Sequence, residues 1–487
     1  MNYLEKIPHW INNEEVYPEK EKDFIPKFNP ATGKLFSLVA RGKKIEADKA
    51  ISSAIKSFEN WSETPVVKRA EIIREATQII QKQKEEIAVL IALEAGKSFK
   101  DSMGEMNAAI EMGFFVAGEG ARFYGKTTTS AIPHRSAMTM RQPVGICALI
   151  NPANNPVAGF AWKVFPALLC GNTAVLKPSE NTPYTSIVMA KILKKAGLLS
   201  GALSVIQGLG KEAGQYLIED HRVDLISFTG SVQTGKQIQQ IAGKRLAKIC
   251  LELGGKNALI VCDDANLENA AESAVLSAFS SAGQRCASGS RIIVFDSIFE
   301  NFKKLIVEKT NKLKIGVKDD DNFGPLISKN AVEKVRLAVN KARSQGAKVL
   351  SGGQKFSDTD KFGYYFKPTI LENVDPENEI SKTELFGPVT ILYKVKDLKE
   401  AITLANNSPF GLTAAIHTKS INRAQVFQEQ CRVGVVSING HTYGSEPHMP
   451  FGGLRNSGTG WREAGTEALD IYSEWKTIYT IHDPNNI

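Results

Sequence analysis

The stretch that decides the fold is Gly145-Ile146-Cys147-Ala148-Leu149-Ile150-Asn151-Pro152-Ala153-Asn154-Asn155-Pro156. Its first half is a short apolar run typical of a buried strand, and its second half is a polar turn. An apolar helical segment (156–170) and a second apolar run, Thr173–Lys177, follow it. A strand, a helix and a strand in this order predict a βαβ unit, in which the two strands are parallel.

The alternation of strands and helices continues to residue 242, and a second alternating region begins near Asn257. Upstream, the apolar periodicity predicts helices at 45–58, 65–96 and 105–122, and a hairpin at 125–141. The run 469–480 is typical of an edge strand that needs a partner. Doubly wound α/β sheets bind ligands beyond the carboxyl ends of their strands, so we expect function in the strand-to-helix loops.

Composition excludes several classes of protein. A chain of 487 residues predicts two or three domains, and its net charge of +8 is scattered, which predicts no nucleic-acid partner. The six cysteines lack zinc-ligand spacing and lie in apolar runs, so we expect no metal and a reducing compartment. The longest apolar stretch, 157–170, contains Lys163 and is too short to span a bilayer. Without an apolar leader segment, a cytoplasmic protein with no membrane partner is expected.

One loop carries a candidate nucleophile. Cys286 lies in Gly283-Gln284-Arg285-Cys286-Ala287-Ser288-Gly289, between a helical segment and an apolar strand-like run. Small neighbours would let a substrate approach the sulfur, and Arg285 would favour the thiolate over the thiol. A surface cysteine in an ordinary loop is the alternative.

Two other loops suit a dinucleotide. Gly230-Ser231-Val232-Gln233-Thr234-Gly235 offers backbone N–H groups and a helix N-terminus to a diphosphate, although a plain tight turn has the same pattern. Lys177-Pro178-Ser179-Glu180 offers a lysine and a carboxylate to ribose hydroxyls, and the carboxylate would repel a 2′-phosphate. A charged turn with a helix cap is the alternative there.

Two further polar residues suit acid–base and oxyanion chemistry. Glu252 lies between Leu251 and Leu253, and a carboxylate in apolar surroundings has a raised pKa, which suits a general base. Asn154 follows a strand, and its amide could donate to a developing oxyanion. The alternatives are a surface charge on an edge strand and a turn formed by Asn-Pro.

Six motifs, taken in order, resemble the aldehyde dehydrogenase superfamily in its NAD(P)-dependent, hydrolytic, non-CoA-acylating branch. The resemblance extends from about residue 20 to 480. The motifs are Lys177-Pro-Ser-Glu180, Phe228-Thr-Gly-Ser231 with Gly235, Leu251-Glu-Leu-Gly-Gly-Lys256, Gly283-Gln-Arg-Cys286, Glu384-Leu-Phe-Gly-Pro388, and Pro450-Phe-Gly-Gly453 with Ser457-Gly458.

The resemblance implies oxidation of an aldehyde to its carboxylate through a cysteine thioester that water hydrolyses. Cys286 would be the nucleophile, the Asn154 amide and the Cys286 N–H would hold the oxyanion, and Glu252 would activate the water. Lys163 and Glu463 match a lysine and a glutamate on the family's proton path.

The resemblance also implies a set of cofactor positions, and Glu180 among them favours NAD over NADP. They are Lys177, Ser179 and Glu180 at the adenosine ribose, Gly230 and Ser231 at the diphosphate, Gly235 packing the helix, Leu253 at the carboxamide, and Glu384 with Phe386 at the nicotinamide ribose and ring.

The chain departs from the family pattern at the substrate tunnel. The loop usually written Pro-Trp-Asn-Phe-Pro is Pro-Ala-Asn-Asn-Pro here, so Asn155 makes the tunnel more polar. With Trp162, Arg285 and Phe451 it forms the expected substrate set, and we expect a small hydroxy- or carboxy-aldehyde as substrate.

The expected fold is α/β: a Rossmann-like cofactor domain (1–122 and 145–252), an α/β catalytic domain (253–455) and a small β oligomerisation element (123–144 and 468–487). We expect a homodimer or homotetramer. A CoA-acylating dehydrogenase and a non-catalytic scaffold of the same fold are the alternatives. Glu252 argues against the first, and Cys286, Asn154 and Glu252 together argue against the second.

Overall fold

The computed structural model describes residues 3–356 and 362–485, and its first sheet has seven strands. The order across this sheet is Lys248–Glu252, Leu225–Thr229, Ile146–Ile150, Thr173–Lys177, Leu203–Val205, His9–Ile11 and Glu14–Val16, of which the first five strands are parallel. The chain order reverses beside Ile146–Ile150, so the ligand crevice of a doubly wound sheet is expected at the carboxyl end of that strand.

Burial along Ile146–Ile150 confirms that helices cover both faces of this sheet. Cys147 and Leu149 belong to one cluster of buried apolar side chains, and Ile146 and Ala148 belong to another. Successive side chains of a strand point to opposite faces, so a strand buried on both faces is a continuous apolar run rather than an alternating one.

The second sheet also has seven strands, and all of its neighbouring pairs are parallel except the first. The order is Lys348–Ser351, Thr369–Glu372, Val389–Val395, Gly289–Phe295, Asn257–Val261, Thr413–His417 and Val435–Ile438. The α/β fold is therefore confirmed, whereas the domain boundaries stay a prediction.

The α-helices flank these sheets, and several differ from the expected bounds. The predicted helix 65–96 is two helices that meet at Gln83. The helix predicted at 105–122 begins earlier, at Phe99, because the Ser98 hydroxyl caps it by accepting from the Asp101 N–H at 3.1 Å. No helix among the described residues is long and apolar enough to cross a membrane. The α-helices are Lys44–Glu63, Val66–Lys82, Lys84–Ala95, Phe99–Glu119, Pro156–Leu169, Tyr184–Lys195, Gln215–Glu219, Val232–Gly243, Leu267–Phe279, Phe299–Asn311, Lys329–Ser344, Glu379–Lys382, Leu398–Asn406, Ile421–Gln430 and Ala468–Tyr472.

A small antiparallel sheet, here called the tail sheet, joins Thr127–Thr129, Arg135–Pro143 and Ser473–Ile481. The expected terminal strand thus finds its partner in the predicted hairpin. It begins at Ser473 rather than at residue 469, because Ala468–Tyr472 is a helical turn whose apolar side chains are buried. Two further small sheets contain Lys6–Ile7, Leu35–Ala40 and Phe24–Phe28, and Phe410–Gly411 with Leu454–Arg455.

Candidate active site

A cavity of about 450 Å³ lies at the carboxyl ends of the first-sheet strands Ile146–Ile150, Leu225–Thr229 and Lys248–Glu252. It brings together most of the residues expected to carry the chemistry and the substrate, although they come from distant parts of the chain. The lining includes Asn154, Asn155, Trp162, Glu252, Leu253, Arg285, Cys286, Phe451 and Glu463.

The loop that carries Cys286 is held in an uncommon backbone conformation. Ser281 and Ala282, directly after helix Leu267–Phe279, have left-handed φ angles of 52° and 56°. Such angles cost free energy for residues other than glycine and persist where surrounding contacts enforce them. Here the Asn257 amide donates to the Cys286 carbonyl at 2.8 Å, and the Thr442 hydroxyl donates to the Ala287 carbonyl at 2.6 Å. Sequence reasoning missed these two residues, which come from outside the loop.

The Cys286 side chain is half-buried beside the cavity, and its thiol is held in the neutral form. Burial, with a smaller contribution from the carboxylates of Glu384 and Glu252, raises the pKa of the thiol to about 12 against the opposing effects of the Ala287 N–H and Arg285. Arg285 acts in the expected direction and lowers the pKa of the thiol, but desolvation outweighs that one cation. Arg285 also faces Asp101 at 3.6 Å and lies 4.6 Å over the Tyr443 ring.

The Asn154 amide lies against the nucleophile loop. Its Nδ2 donates to the Gln284 carbonyl at 3.0 Å, which fixes the side chain and leaves its second N–H without a partner in the described part of the chain. The backbone N–H of Cys286 likewise makes no hydrogen bond to a described residue. Two donors are thus available near the sulfur, which is the requirement for an oxyanion site.

Glu252 ends the edge strand Lys248–Glu252, but the segment 457–459 covers that edge and buries the side chain. Both carboxyl oxygens lack a hydrogen-bond partner among the described residues. Burial raises the pKa of Glu252 well above its ordinary value and the nearby Glu463 carboxylate adds to this, while Lys163 and Arg462 oppose it. The alternative of a surface charge is therefore wrong.

Lys163 and Glu463 form a buried ion pair behind Glu252. Lys163 comes from helix Pro156–Leu169 and does not line the cavity, whereas Glu463 does. Lys163 also donates to the Ser227 hydroxyl at 2.8 Å. The Lys163 ammonium group, which carries protons, therefore lies directly against the Glu463 carboxylate, and this carboxylate faces Glu252.

The expected cofactor residues lie outside this cavity, apart from Leu253, and the geometry around them fits a dinucleotide. Ser231 caps helix Val232–Gly243, accepting from the Thr234 N–H at 3.3 Å, so a helix N-terminus is presented beside Gly230. A Cβ on Gly235 would lie 2.7 Å from Leu253 Cδ2, so only glycine lets this helix approach the end of the neighbouring strand.

The two charged cofactor candidates differ in exposure. Lys177 is buried, and Glu180, whose side chain is 38% exposed, faces it at 3.5 Å, while Ser179 accepts from the Asn181 N–H in the same turn. Glu384 is half-buried on the side of the nucleophile, where it accepts from the Gly255 N–H at 3.2 Å, and desolvation raises its pKa to about 7. Its neighbour Phe386 has a left-handed φ of 59°, which marks a backbone that tertiary contacts constrain.

A buried polar cluster that sequence reasoning missed fixes Asn155. Lys97 Nζ donates to Glu105 Oε2 at 2.6 Å and to Asn155 Oδ1 at 2.7 Å. Glu105 Oε1 in turn accepts from the N–H groups of Val157 and Ala158, at the start of helix Pro156–Leu169. Because an ammonium group only donates, it holds the Asn155 carbonyl oxygen, and the Asn155 NH₂, which has no partner among the described residues, is available to the cavity. Opposite, Trp162 and Phe451 pack edge to face at 5.7 Å and form an apolar wall.

Comparison with known proteins agrees with this arrangement. Residues 17–478 match the aldehyde dehydrogenase family. Among its relatives, 2,5-dioxopentanoate dehydrogenase of Saccharolobus solfataricus is 38% identical over 90% of this chain and 91% of its own length. Alpha-ketoglutaric semialdehyde dehydrogenase of Bacillus subtilis is 37% identical over 97% of each chain. The crystal structure of betaine aldehyde dehydrogenase from Staphylococcus aureus in complex with NAD+ superposes with a TM-score of 0.95 at 34% identity, covering 98% of this chain and 95% of that one. The chain belongs to the aldehyde dehydrogenase family and is an enzyme that oxidises an aldehyde.

Proposed function

We propose that this enzyme oxidises a short aldehyde that carries a carboxylate, with NAD as the electron acceptor and water as the acyl acceptor. The observation that carries the proposal is the Arg285 Nε–H, which is buried without a partner among the described residues, on a side chain that lines the cavity next to Cys286. A buried donor without an acceptor costs roughly 1–3 kcal/mol, and a carboxylate is the acceptor that matches a guanidinium best. The Asp101 carboxylate faces the other end of the guanidinium, where Oδ1 lies 3.6 Å from Arg285 Nη2, which is too distant for a good hydrogen bond.

The Asn155 NH₂ group supplies a second donor to the same cavity, since Lys97 holds its carbonyl oxygen. The names of two relatives support the class of substrate. The substrate in the first name, 2,5-dioxopentanoate, is a carboxylate with an aldehyde at its far end, and the second name specifies a semialdehyde.

A cationic aldehyde is the competing substrate, because the cavity also contains the aromatic side chains Trp162, Phe451 and Tyr443. Aromatic faces attract quaternary ammonium groups. However, the Arg285 guanidinium already covers the Tyr443 ring at 4.6 Å, so a second cation there would be repelled. The Arg285 guanidinium therefore favours an anionic group at this wall of the cavity, although the acidic side chains of Asp101, Glu105, Glu252 and Glu463 line the rest of it.

The residues at the cavity suit a thioester mechanism. The Cys286 sulfur adds to the aldehyde carbon as its thiol proton passes to the Glu252 carboxylate and from there to solvent, and the Asn154 amide and Cys286 N–H stabilise the oxyanion. NAD, when bound, would supply the acceptor for the hydride that leaves that carbon. Glu252 then removes a proton from the water that attacks the thioester, and the carboxylate product leaves as the Cys286 thiol re-forms. Glu180 supports NAD over NADP, because its carboxylate would repel a 2′-phosphate.

The test compares 2,5-dioxopentanoate, pentanal and betaine aldehyde with the wild-type enzyme and with Arg285→Met. We expect the carboxylated aldehyde to have the highest kcat/KM. Hydrogen bonds to charged groups contribute about 1.5–3 kcal/mol, so Arg285→Met should lower its kcat/KM roughly 10- to 100-fold and change that of pentanal less than about threefold. Lys100→Met removes an exposed cation from the same cavity rim and serves as the charge control.

A second variant tests Asn155. Asn155→Phe should raise kcat/KM for hexanal and lower it for the carboxylated aldehyde. If wild type prefers pentanal or betaine aldehyde, or if Arg285→Met lowers kcat/KM equally for all three aldehydes, the proposed substrate class is wrong.

We further propose that the enzyme is a cytoplasmic homodimer or homotetramer assembled through the tail sheet. The strand Ser473–Ile481 leaves large apolar side chains exposed, among them Trp475, Tyr479 and Ile481. Exposed apolar patches of this kind mark association surfaces. Light scattering should give two or four chains, and Tyr479→Glu with Ile481→Glu should shift the mass towards the monomer.

All six cysteines are free, which supports a reducing compartment.

A further inference from the structure

Two buried hydroxyl groups, on Ser227 and Tyr472, lie against the Lys163–Glu463 ion pair. Both residues are fully buried. Ser227 belongs to strand Leu225–Thr229, and Tyr472 ends the helical turn Ala468–Tyr472. The Tyr472 hydroxyl donates to Ser227 Oγ at 3.2 Å, and Ser227 Oγ lies 3.3 Å from Glu463 Oε1.

The hydrogen bonds that Ser227 accepts leave its proton available to Glu463. A serine hydroxyl can accept two hydrogen bonds and donate one. Lys163 donates to it at 2.8 Å and Tyr472 donates to it as well, so both acceptor positions are taken. The Ser227 proton can then be donated to Glu463 Oε1 at 3.3 Å, for which the Cys250 sulfur is the competing acceptor.

This arrangement gives Glu463 two donors, the Lys163 ammonium and the Ser227 hydroxyl. These hydrogen bonds fix the position of the Glu463 carboxylate. The Glu463 carboxylate raises the pKa of Glu252 by repulsion, against the opposing effects of Lys163 and Arg462. Tyr472 also faces the buried thiols of Cys250 and Cys147, neither of which carries charge, because burial raises the pKa of both.

We propose that Tyr472 and Ser227 are positioning residues that hold the Glu463 carboxylate near Glu252 and thereby set the pH range in which Glu252 accepts a proton from the hydrolytic water. Tyr472 acts only through Ser227, since its hydroxyl contacts neither carboxylate in the described hydrogen bonds. The inference rests on the proposed role of Glu252 as the base for hydrolysis.

The test compares Tyr472→Phe and Ser227→Ala with Tyr393→Phe as the matched control. Tyr393 is also buried and also bonded to a serine hydroxyl, that of Ser381, but it lies in the second sheet. The readouts are the pH profile of thioester hydrolysis and, separately, the amplitude of the NADH burst, which reports the steps before hydrolysis.

Loss of the Tyr472 hydroxyl frees the Ser227 proton to turn away, so the Glu463 carboxylate is held less firmly near Glu252 and repels it less. The acid limb of the hydrolysis profile should then move to lower pH by about 0.5 units, roughly a threefold change in rate on that limb, which is the size of one neutral hydrogen bond acting through a neighbour. Ser227→Ala should shift it further, and the double variant should match Ser227→Ala. The burst amplitude should stay unchanged.

A Tyr472→Phe profile that superimposes on wild type and on Tyr393→Phe would overturn the inference. An equal loss of rate at every pH would overturn it as well, because that result indicates only a packing role. Glu252→Gln distinguishes the two levels. If that variant keeps the wild-type profile, the base assignment itself fails, whereas an unshifted Tyr472→Phe profile with a flat Glu252→Gln profile rejects this inference alone.

Discussion

Replacement of Glu252 by Gln separates the two halves of the proposed reaction. Neither carboxyl oxygen of Glu252 has a hydrogen-bond partner among the described residues, so an amide of the same shape breaks no contact. The variant should therefore form the acyl-enzyme and release one equivalent of NADH per active site. It should then stall, because no base remains to activate water.

The size of the effect follows from what a general base contributes. Such a base accelerates proton transfer about 10²- to 10⁴-fold, which corresponds to roughly 3–5 kcal/mol of barrier. We expect the steady-state rate to fall by that factor while the burst amplitude is unchanged. Because burial raises the pKa of Glu252, wild-type hydrolysis should still rise with pH above the ordinary carboxyl range, and the variant should not show this rise.

The raised pKa of Glu252 also determines whether Glu252→Gln raises or lowers the stability of the folded protein. A carboxyl group whose pKa is raised on folding stabilises the protein below the unfolded pKa, and this contribution is lost as the pH rises through the folded value. Glutamine does not ionise, so Glu252→Gln does not lose this stability as the pH rises. Its thermal midpoint at about pH 8 should therefore be no lower than that of wild type.

Stopped-flow absorbance of NADH measures the burst and the steady state in one trace, and differential scanning fluorimetry measures the midpoint. A steady-state rate within tenfold of wild type, or a variant that keeps the wild-type pH profile, would refute the role of Glu252 as the base.

Three further outcomes are expected. Because the pKa of Cys286 is raised to about 12, its alkylation by iodoacetamide should quicken about tenfold per pH unit between about pH 7 and 9, and a plateau below pH 8 would contradict the buried-thiol description. Glu180→Ser should weaken the binding of NAD and lower the ratio of kcat/KM for NAD to kcat/KM for NADP. An unchanged ratio would place Glu180 away from the ribose. Lys97→Met should lower the thermal midpoint, since loss of one partner of a buried ion pair costs about 3–5 kcal/mol. The cost should be at the lower end because Glu105 keeps two backbone donors, and Lys97→Met with Glu105→Gln should recover part of it.

Much of the fold could be predicted because its signals are local. A continuous apolar run such as Ile146–Ile150, followed by a polar turn and an apolar helix, has few other solutions than a parallel strand covered on both faces. The same logic places Asn154, which follows its strand, at the carboxyl edge of the first sheet, whereas Cys286 precedes strand Gly289–Phe295 and lies at the amino end of a strand of the second sheet. That Glu252 points into this cavity depends instead on the segment 457–459, which covers the edge strand and has no local signal.

The polar contacts of the site could not be predicted, because they join residues far apart in the sequence. Lys97 and Asn155 are 58 residues apart, and Lys163 and Glu463 are 300 apart. Ser227 occurs within an apolar strand, where small polar residues usually have no role in binding or catalysis. Only the fold shows that its hydroxyl meets a lysine, a glutamate and a tyrosine.

The protonation state of Cys286 illustrates the same limit at a single atom. The sequence shows the cation beside the sulfur, Arg285, and a neighbouring cation favours the thiolate. It does not show how far the loop is desolvated, nor that Glu384 and Glu252 converge on it from other strands and loops. In the folded protein desolvation is the largest effect, the two carboxylates add to it, and Arg285 is the smallest of the opposing effects. The reactivity of Cys286 therefore depends on the assembled site and not on its loop alone.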